Sequence, residues 1–443
     1  MSTEPADGTP ENPYRISAPP DILSIIPHTL GFEPENSLVL MGLCGGRLGG
    51  ILRLDLPPGG TVKSAPGSAY AANACRFMAA DPAADGALLA LYTDASWADP
   101  AHPPYRTLIR RIEKAFGAAG IPLQDGWLIG RHTWRNYFCP RPECCPWPGT
   151  PKQQIADSML NTELIYRGSV VSDSLESAVG NGFPGPWGNR DQVAAAQARF
   201  SARVDGRWNE REQFRGTLML WAQASAGAAG AGTAKPAAGP RLPAGTPLRG
   251  DAELAGFLLA SLSDRSVRDT LLVLGAAGLP AALAGAEANG MMIRQVHVPV
   301  FPARSPASDV QDGAAAGTAP LPRRPGPHSA AAGHFRNILV GTSSAAPDWV
   351  LLDRMHAVIS ELVPVAHGDP KAALLSLLAW IEWARGRGSR SDVYLQHALL
   401  AAPGYRLALL LRELLGTGVL PDWARSREGS WPGGTDTARE RPA

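Results

Sequence analysis

Hydrophobic residues in the first part of the chain occur as short runs that alternate with amphipathic segments. Two such runs, 38–41 and 51–54, flank the tetrapeptide Cys44-Gly45-Gly46-Arg47. Glycine adopts without steric cost the positive φ angles that a two-residue hairpin loop requires. This stretch therefore predicts two antiparallel strands joined by a tight turn. The first run lacks polar alternation, which indicates a strand that is buried on both faces.

Helical periodicity precedes and follows this hairpin. The pattern predicts helices at 19–30, 68–80 and 105–119, the first of them capped by Ser17, and further strands at 88–92 and 127–129. Strands that alternate with helices indicate an α/β layer, and the leading hairpin makes the sheet mixed. The sequence therefore predicts an α/β (α+β) N-terminal domain with a mixed sheet at 14–226, after a disordered N-terminus at 1–13.

The second half of the chain shows only helical patterns, separated by Ala/Gly/Pro tracts at 227–249 and 302–333. Both tracts are predicted to be linkers because they contain few bulky apolar groups to bury. A helical segment at 250–301 lies between them. The last tract is followed by an all-α C-terminal region at 334–425, and residues 426–443 are predicted to be a disordered tail.

The C-terminal region is predicted to contain helices at 370–384, 391–401 and 403–415, with Asp369 as the cap of the first helix and Gly386 and Gly388 at its end. Several residues fall at the small and large positions of a tetratricopeptide repeat: Leu378, Ala379, Gly386, Leu395, Ala398 and Pro403. A single such unit predicts a tetratricopeptide-like helical hairpin module packed on its neighbours. It forms either a groove for a protein or peptide partner or a plain helical core.

Charge and composition narrow the classes of partner. The 443 residues suggest about two or three domains, and 41 basic against 40 acidic residues give a net charge of +1. No overall field draws the chain to nucleic acid or to anionic lipid, so neither a nucleic-acid nor a membrane partner is predicted.

The N-terminal segment, the most apolar window and the spacing of the cysteines together predict a cytoplasmic protein. The first seventeen residues lack the basic and apolar segments of a secretory signal. The most apolar window, 271–286, is broken by Gly275, Gly278 and Pro280, and it is too short to span a membrane. Three of the five cysteines are crowded together, unlike the disulfide framework of a small secreted domain.

Those three cysteines form the most unusual chemical feature of the sequence. Cys139, Cys144 and Cys145 lie in the stretch 133–151 among five prolines. Because proline fixes φ and lacks an amide donor, this stretch cannot be helical. It is predicted to be a stiff loop that follows a strand ending near Phe138.

Three interpretations of the loop stay open. The thiolates could bind zinc, with His132 or a distant side chain completing the set, although zinc loops ordinarily use two spaced pairs and adjacent cysteines are awkward ligands. Cys139 could form a disulfide with Cys144 or Cys145 in a redox switch. The thiols could also be small buried hydrophobic groups in a cluster with Trp134, Tyr137 and Trp147.

No set of residues identifies a reaction. A nucleophilic cysteine needs a base and an electropositive setting, and His132 and Arg135 are neighbours by sequence only. The Gly45-Gly46 turn leads into a strand rather than a helix, which argues against a phosphate-binding loop. No cofactor-binding residues are therefore predicted. The leading hypothesis is a non-catalytic interaction or regulatory protein, and the alternatives are a cysteine-dependent redox sensor or enzyme and a structural zinc site.

Long segments of the chain resemble a known family. The segments are ISAPPDILSIIPHTLGFEPENSLVLMGLCGGRLGGILRLDLP at 16–57, WRNYFCPRPECCPWPGTP at 134–151, and LLAWIEWARGRG with HALLAAPGYRLALLL in the last hundred residues. In combination they resemble the actinobacterial domain of unknown function 4192 family. The resemblance implies a shared fold, and the family carries no established activity that it would transfer.

Overall fold

The structure is a computed structural model that describes residues 16, 18–57, 66–180, 182–227, 248–303, 329–426 and 428–432. The segment 1–13, most of both Ala/Gly/Pro tracts, most of the tail and the predicted cap Ser17 lie outside these residues. The described residues form two compact units, an N-terminal unit that ends at Ala178 and a C-terminal unit that begins at Val179.

A six-stranded mixed sheet organises the N-terminal unit, with the order β2-β1-β3-β4-β5-β6. Its strands are β1 (Ser37–Cys44), β2 (Arg47–Asp55), β3 (Gly86–Tyr92), β4 (Leu123–Ile129), β5 (Thr133–Asn136) and β6 (Thr150–Pro151). Only β3 and β4 pair in parallel. The predicted hairpin is confirmed, since β1 and β2 are antiparallel and Gly45 and Gly46 have φ angles of 56° and 79°.

Helices cover both faces of this sheet, which explains the continuous hydrophobic runs. The helices of the N-terminal unit are α1 (Pro19–Leu30), α2 (Pro66–Met78), α3 (Arg106–Ala118), α4 (Gln153–Ala156) and α5 (Met159–Tyr166). Alternate residues of β1 belong to separate cores: Leu38 and Leu40 pack with α2 and α3, whereas Val39 and Met41 pack with α1. The predicted burial of both faces of β1 is therefore confirmed.

The C-terminal unit is helical. After α6 (Leu175–Gly180), where the two units divide, it contains α7 (Arg190–Val204), α8 (Arg211–Gly227), α9 (Ala252–Ser261), α10 (Arg265–Ala288), α11 (Ala330–Val340), α12 (Trp349–Leu362), α13 (Gly368–Ala384), α14 (Gly388–Ala401) and α15 (Arg406–Gly416). The mixed-sheet N-terminal half and helical C-terminal half agree with the predicted fold class. Helix α11 begins at Ala330, inside the segment predicted to be a linker.

The helix predicted to start at Pro403 begins at Arg406, and two residues predicted to mark the ends of α13 have other positions in the structure. Asp369 lies in the first turn of α13 rather than capping it, and the N-cap residue His367 makes no side-chain cap hydrogen bond. Gly386, with φ of 77°, follows α13 as predicted, but Gly388 begins α14 instead of ending α13. With a φ outside the left-handed region, Gly388 fits a helix start, because only Gly386 is needed to turn the chain.

Helix α10 is long and apolar enough to cross a membrane, judged by length and composition alone. Of its most apolar 18-residue window, 56% is buried inside the fold. The helix is kinked at Gly278, where φ is 79°, and a buried core helix of a globular protein has the same composition. This feature is therefore weak evidence for a membrane span.

Helices α7 and α9 pack so closely that one glycine is required between them. A Cβ atom on Gly256 would lie 2.5 Å from the Cβ of Ala196 and 2.6 Å from the backbone nitrogen of Gln197. Phe200 and Phe257 pack edge to face beside this contact, with ring centroids 5.2 Å apart. The two helices thus form one core, although an Ala/Gly/Pro tract separates them in sequence.

Replacing Gly256 with alanine should lower the free energy of unfolding by about 1–3 kcal/mol, because the added methyl group has no space and the helices must separate. Gly333 in α11 is the matched control, since a Cβ there meets no atom within 4 Å. Gly333→Ala should raise the free energy of unfolding by about 0.4–1 kcal/mol through helix propensity and reduced chain entropy. Urea denaturation of both variants measures the difference, and equal effects would contradict the close packing.

A buried group of charges lies where the middle of α12 faces the C-terminal end of α13. The Glu382 side chain is 2% exposed, and its Oε1 accepts from Nη1 of Arg385 at 2.5 Å. Nη2 of Arg385 donates to Asp353 at 2.5 Å, and Nε2 of His356 lies 3.5 Å from the Glu382 carboxylate. The ring of Trp431 covers Arg385, whose Cζ lies 4.9 Å from the ring centroid. The Glu382 and Asp353 carboxylates thus neutralise the Arg385 guanidinium, which has little access to water.

Candidate functional site

The three clustered cysteines lie in the loop between β5 and β6, at one edge of the sheet of the N-terminal unit. Strand β5 is held by antiparallel pairing to β4, in which Asn136 faces Trp127, and β6 returns to pair with Thr133 and Trp134. Both ends of the loop are therefore fixed by the sheet. As predicted, the proline-rich stretch forms turns rather than a helix.

Asn136 sets the direction in which the chain leaves β5. Its Oδ1 accepts hydrogen bonds from the backbone nitrogens of Phe138, at 2.9 Å, and Cys139, at 2.8 Å. Its Nδ2 donates to Oδ1 of Asp125 on β4 at 2.6 Å, which fixes the orientation of the amide. Asparagine is suited to this turn because its short side chain reaches the backbone two and three residues ahead. Asn136 and Asp125 thereby position Cys139.

An aromatic clamp holds the returning part of the loop. The guanidinium carbon of Arg135 lies 4.6 Å from the ring centroids of both Trp97 and Trp147. Arg135 is 7% exposed, and its Nε and Nη1 atoms have no hydrogen-bond partner among the described residues. Cation–π attraction strengthens when the cation is removed from water. This contact anchors Trp147, two residues after Cys145, to the body of the unit.

The fold of the loop brings the three thiols together. The Sγ atoms of Cys139 and Cys144 are 3.3 Å apart, those of Cys144 and Cys145 are 3.7 Å apart, and all three lie within 4.8 Å of one another. A backbone hydrogen bond of 3.0 Å from Cys145 to the carbonyl of Arg141 closes the turn. The adjacent cysteines can therefore face the same point, and the sequence argument against them as joint ligands does not hold.

The thiols differ in acidity because their surroundings differ. A hydrogen bond from the backbone of Arg141, together with those from Cys144 and Cys145, lowers the pKa of the Cys139 thiol to about 7. Burial, followed by the interactions with Cys139 and Cys144, raises the pKa of Cys145 to about 12. The arrangement can therefore hold a thiolate at Cys139 at neutral pH beside a Cys145 thiol that is still protonated.

Two parts of the sequence interpretation are not supported. His132 is exposed and does not belong to the group of three thiols, although its carbonyl accepts from the backbone nitrogen of Lys152 at 2.8 Å. The thiols are not buried hydrophobic groups, because Cys144 is exposed and the other two are half-buried. Trp134 packs in the core beside α1 rather than with the cysteines.

The residues that sequence reasoning missed are those that support the thiols. Trp97 lies 42 positions before Cys139, and Asp125 lies on a neighbouring strand, so no local pattern connects them with the loop. Only the folded sheet connects them: β4 pairs with β5 so that Trp127 faces Asn136, and Asp125 on β4 then lies within hydrogen-bond distance of Asn136. The other two cysteines lie elsewhere: Cys75 is buried, and Cys44 donates to Asp81 at 3.5 Å, where burial raises the pKa of its thiol.

Comparison with known proteins identifies the family to which this loop belongs. Residues 19–287 and 346–422 match the family described as Domain of unknown function (DUF4192). No curated protein and no solved structure matches the chain. The matched residues include the whole cysteine loop, the sheet and helices α12 to α15, and they make up more than half of the sequence. The chain therefore belongs to the family of proteins that contain this domain of unknown function.

Proposed function

We propose that the protein is a regulatory protein that responds to a thiophilic metal ion, zinc in the first place, bound by Cys139, Cys144 and Cys145. The observation that carries the proposal is the triangle of thiols. Zinc–sulfur bonds of about 2.3 Å in a tetrahedral site place the sulfur atoms about 3.8 Å apart. The sulfur separations of 3.3 and 3.7 Å in the loop lie close to that value.

The chemistry of the thiols also supports metal binding. Thiolate is the form that binds zinc, and metal must displace the proton from each thiol. Because the pKa of Cys139 is lowered to about 7, metal binding at neutral pH meets little competition from protons at that ligand. Three ligands leave one position for water or for a donor from a partner, so the ion would be exchangeable. Exchange suits a regulatory role better than a purely structural one.

Metal titration tests this proposal. Reduced protein without an affinity tag is titrated with zinc against a chromophoric chelator, and with cobalt to record thiolate-to-metal charge transfer. One equivalent of metal should bind. Cys144→Ser should abolish the cobalt charge-transfer band, and Asn136→Ala should weaken zinc binding about 10–100-fold because Asn136 positions a ligand. Cys44→Ser is the matched control and should bind like the wild type. A wild-type chain that binds no metal would overturn the proposal.

A second candidate function is a thiol redox switch, which the separation of 3.3 Å between Cys139 and Cys144 favours. The Cys139 thiolate attacks a peroxide oxygen and forms a sulfenic acid with loss of water or hydroxide. The Cys144 thiol then displaces a second water and forms the disulfide. Exposure to hydrogen peroxide should remove two hydrogen atoms from the protein mass, and bound zinc should prevent it. An unchanged mass would eliminate the switch.

We further propose four features on the basis of sequence patterns. They are a protein or peptide partner for the C-terminal helices, a tetratricopeptide-like character of the pair α13 and α14, a cytoplasmic location and an actinobacterial source. They agree with a regulatory protein whose metal-responsive loop and helical unit lie in one chain.

A further inference from the structure

The C-terminal unit contains a cavity of about 710 Å³ that is separate from the thiol site. Its floor is the first part of α13, including Lys371 and Leu375, and one side is formed by the end of α14. The segment Phe183–Pro186 makes the opposite wall. Cavities of this size ordinarily accommodate small organic ligands.

The wall of the cavity is held in place from several directions. The ring of Phe183 packs edge to face on Tyr394 at 6.0 Å, and Nε1 of Trp187 donates to the carbonyl of Glu361 at 3.1 Å. Nη2 of Arg249 donates to the carbonyl of Gly185 at 2.9 Å. Two prolines further restrict the segment. A preformed wall reduces the entropy cost of binding a ligand.

The lining of the cavity contains one lysine and two imidazoles, those of Lys371, His367 and His397, and no carboxylate among the described residues. Lys371 has no hydrogen-bond or ion-pair partner within the part of the chain that the structure describes. A further cation, Arg190, donates to the carbonyl of Pro364 on the rim at 3.3 Å. An anionic group therefore complements this surface.

Apolar side chains supply the rest of the lining. Phe183, Val363 and Leu375 face the cavity, and Leu400 at its mouth is 79% exposed. A large apolar side chain left in water at the mouth of a cavity gains free energy when an apolar ligand covers it. The site thus combines cations at one part with hydrocarbon at another.

We propose that this cavity binds a small amphiphilic carboxylate, an aliphatic acid whose carboxylate contacts Lys371 and whose hydrocarbon chain packs against Phe183, Leu375 and Leu400. The proposal goes beyond the metal site and does not depend on it, because the cavity and the thiols lie in different units. Such a ligand would supply the C-terminal unit with a second, organic signal.

Isothermal titration of the full-length protein with decanoate tests the proposal, with 1-decanol and decylamine as ligands of equal chain length. Decanoate should bind with one-to-one stoichiometry and at least about tenfold more tightly than either analogue, since a charged hydrogen bond is lost in the alcohol and repulsion replaces it in the amine. Equal binding of decanoate and 1-decanol, or no binding of decanoate, would overturn it. Selective binding of a peptide carboxyl terminus instead of decanoate would also overturn it.

Two variants locate the ligand in this cavity. Lys371→Met keeps the length of the side chain but removes its charge, and it should weaken decanoate binding about five- to tenfold. Ala401→Trp fills the cavity from the end of α14 and should abolish binding of the acid. Lys114→Met, an exposed lysine of α3 in the other unit, is the matched control and should bind like the wild type. Unchanged binding in both cavity variants would place the ligand elsewhere and contradict the proposal.

Discussion

Glu382→Gln should lower the free energy of unfolding of the C-terminal unit by about 3–5 kcal/mol, which is the usual cost of removing one partner from a buried ion pair. The carboxylate is 2% exposed, and the Arg385 side chain, with Nη1 at 2.5 Å from it, is 6% exposed. Glutamine preserves the shape but cannot balance the positive charge. Arg385 would keep only Asp353, whose side chain is 38% exposed.

The electrostatic balance at Glu382 explains why the effect is large. Burial raises the pKa of this carboxyl group, but the nearby charges of Arg385 and Arg387 overcome that effect and leave the pKa below its ordinary value. Nη1 of Arg387 lies 3.8 Å from Oε2 of Glu382, and its Cζ lies 4.1 Å from the centroid of the Trp431 ring. The carboxylate is thus ionised because the positive charges around it stabilise its negative charge.

Urea denaturation followed by far-ultraviolet circular dichroism measures this loss, since the C-terminal unit is helical. Asp422→Asn is the matched control in the same unit. Asp422 pairs with Arg425 at 3.4 Å, but both side chains are more than 40% exposed. Loss of this ion pair should lower the free energy of unfolding by less than about 1 kcal/mol, as for surface ion pairs in general. Similar losses in the two variants would show that burial does not strengthen the Glu382 pair.

The sheet could be predicted from the sequence because its signals are local. The hairpin needs only Gly45 and Gly46 at positive φ, and the burial of β1 follows from an unbroken run of large apolar residues. The parallel pairing of β3 with β4 follows from the helix between them. The strand predicted to end near Phe138 corresponds to β5, which ends at Asn136. Strand β6 could not be found in this way, since its pairing depends on where the loop returns.

The division into units could not be predicted from composition. The tract at 227–249 resembles a domain boundary, but the helices before and after it pack together through Gly256 and Ala196. The structure places the division at Ala178, well before the tract. Linker composition describes the segment itself and carries no information about whether its flanking helices share a core.

The candidate site was only partly predictable, because the residues that position the thiols are distant from the loop in sequence. The residue types of the loop indicated metal or redox chemistry, whereas the convergence of the thiols depends on Asn136, Asp125 and the contact of Arg135 with Trp97. Asp125 and Trp97 lie on other parts of the sheet and its connections. The buried charges around Glu382 were missed because a helical glutamate looks like any surface residue when its neighbours in space are unknown.

Acidification should destabilise the C-terminal unit through His356, which faces Glu382 from α12. Burial, with the charge of Arg385 as the next cause, lowers the pKa of this imidazole to about 4, and Glu382 only partly opposes the shift. In the unfolded chain the group has a pKa of about 6.5. Below that pH the unfolded state binds a proton that the folded state excludes until about pH 4. Stability therefore falls as the pH falls through this window, by up to about 3 kcal/mol.

The free energy of unfolding measured by urea between pH 7.5 and pH 4.5 tests this dependence. Staying above pH 4.5 keeps Glu382 ionised in the folded state, since its pKa is lowered. The His356→Gln variant has no imidazole to take up a proton. Its free energy of unfolding should therefore decline less with falling pH than that of the wild type, by up to about 3 kcal/mol. His334 is an exposed residue of α11 in the same unit, and His334→Gln should keep the wild-type slope. If His356→Gln also keeps the wild-type slope, the imidazole is protonated in the folded protein. Because His356 also faces Arg385 and Arg387, the charge cluster would then have to rearrange to accommodate a further buried cation.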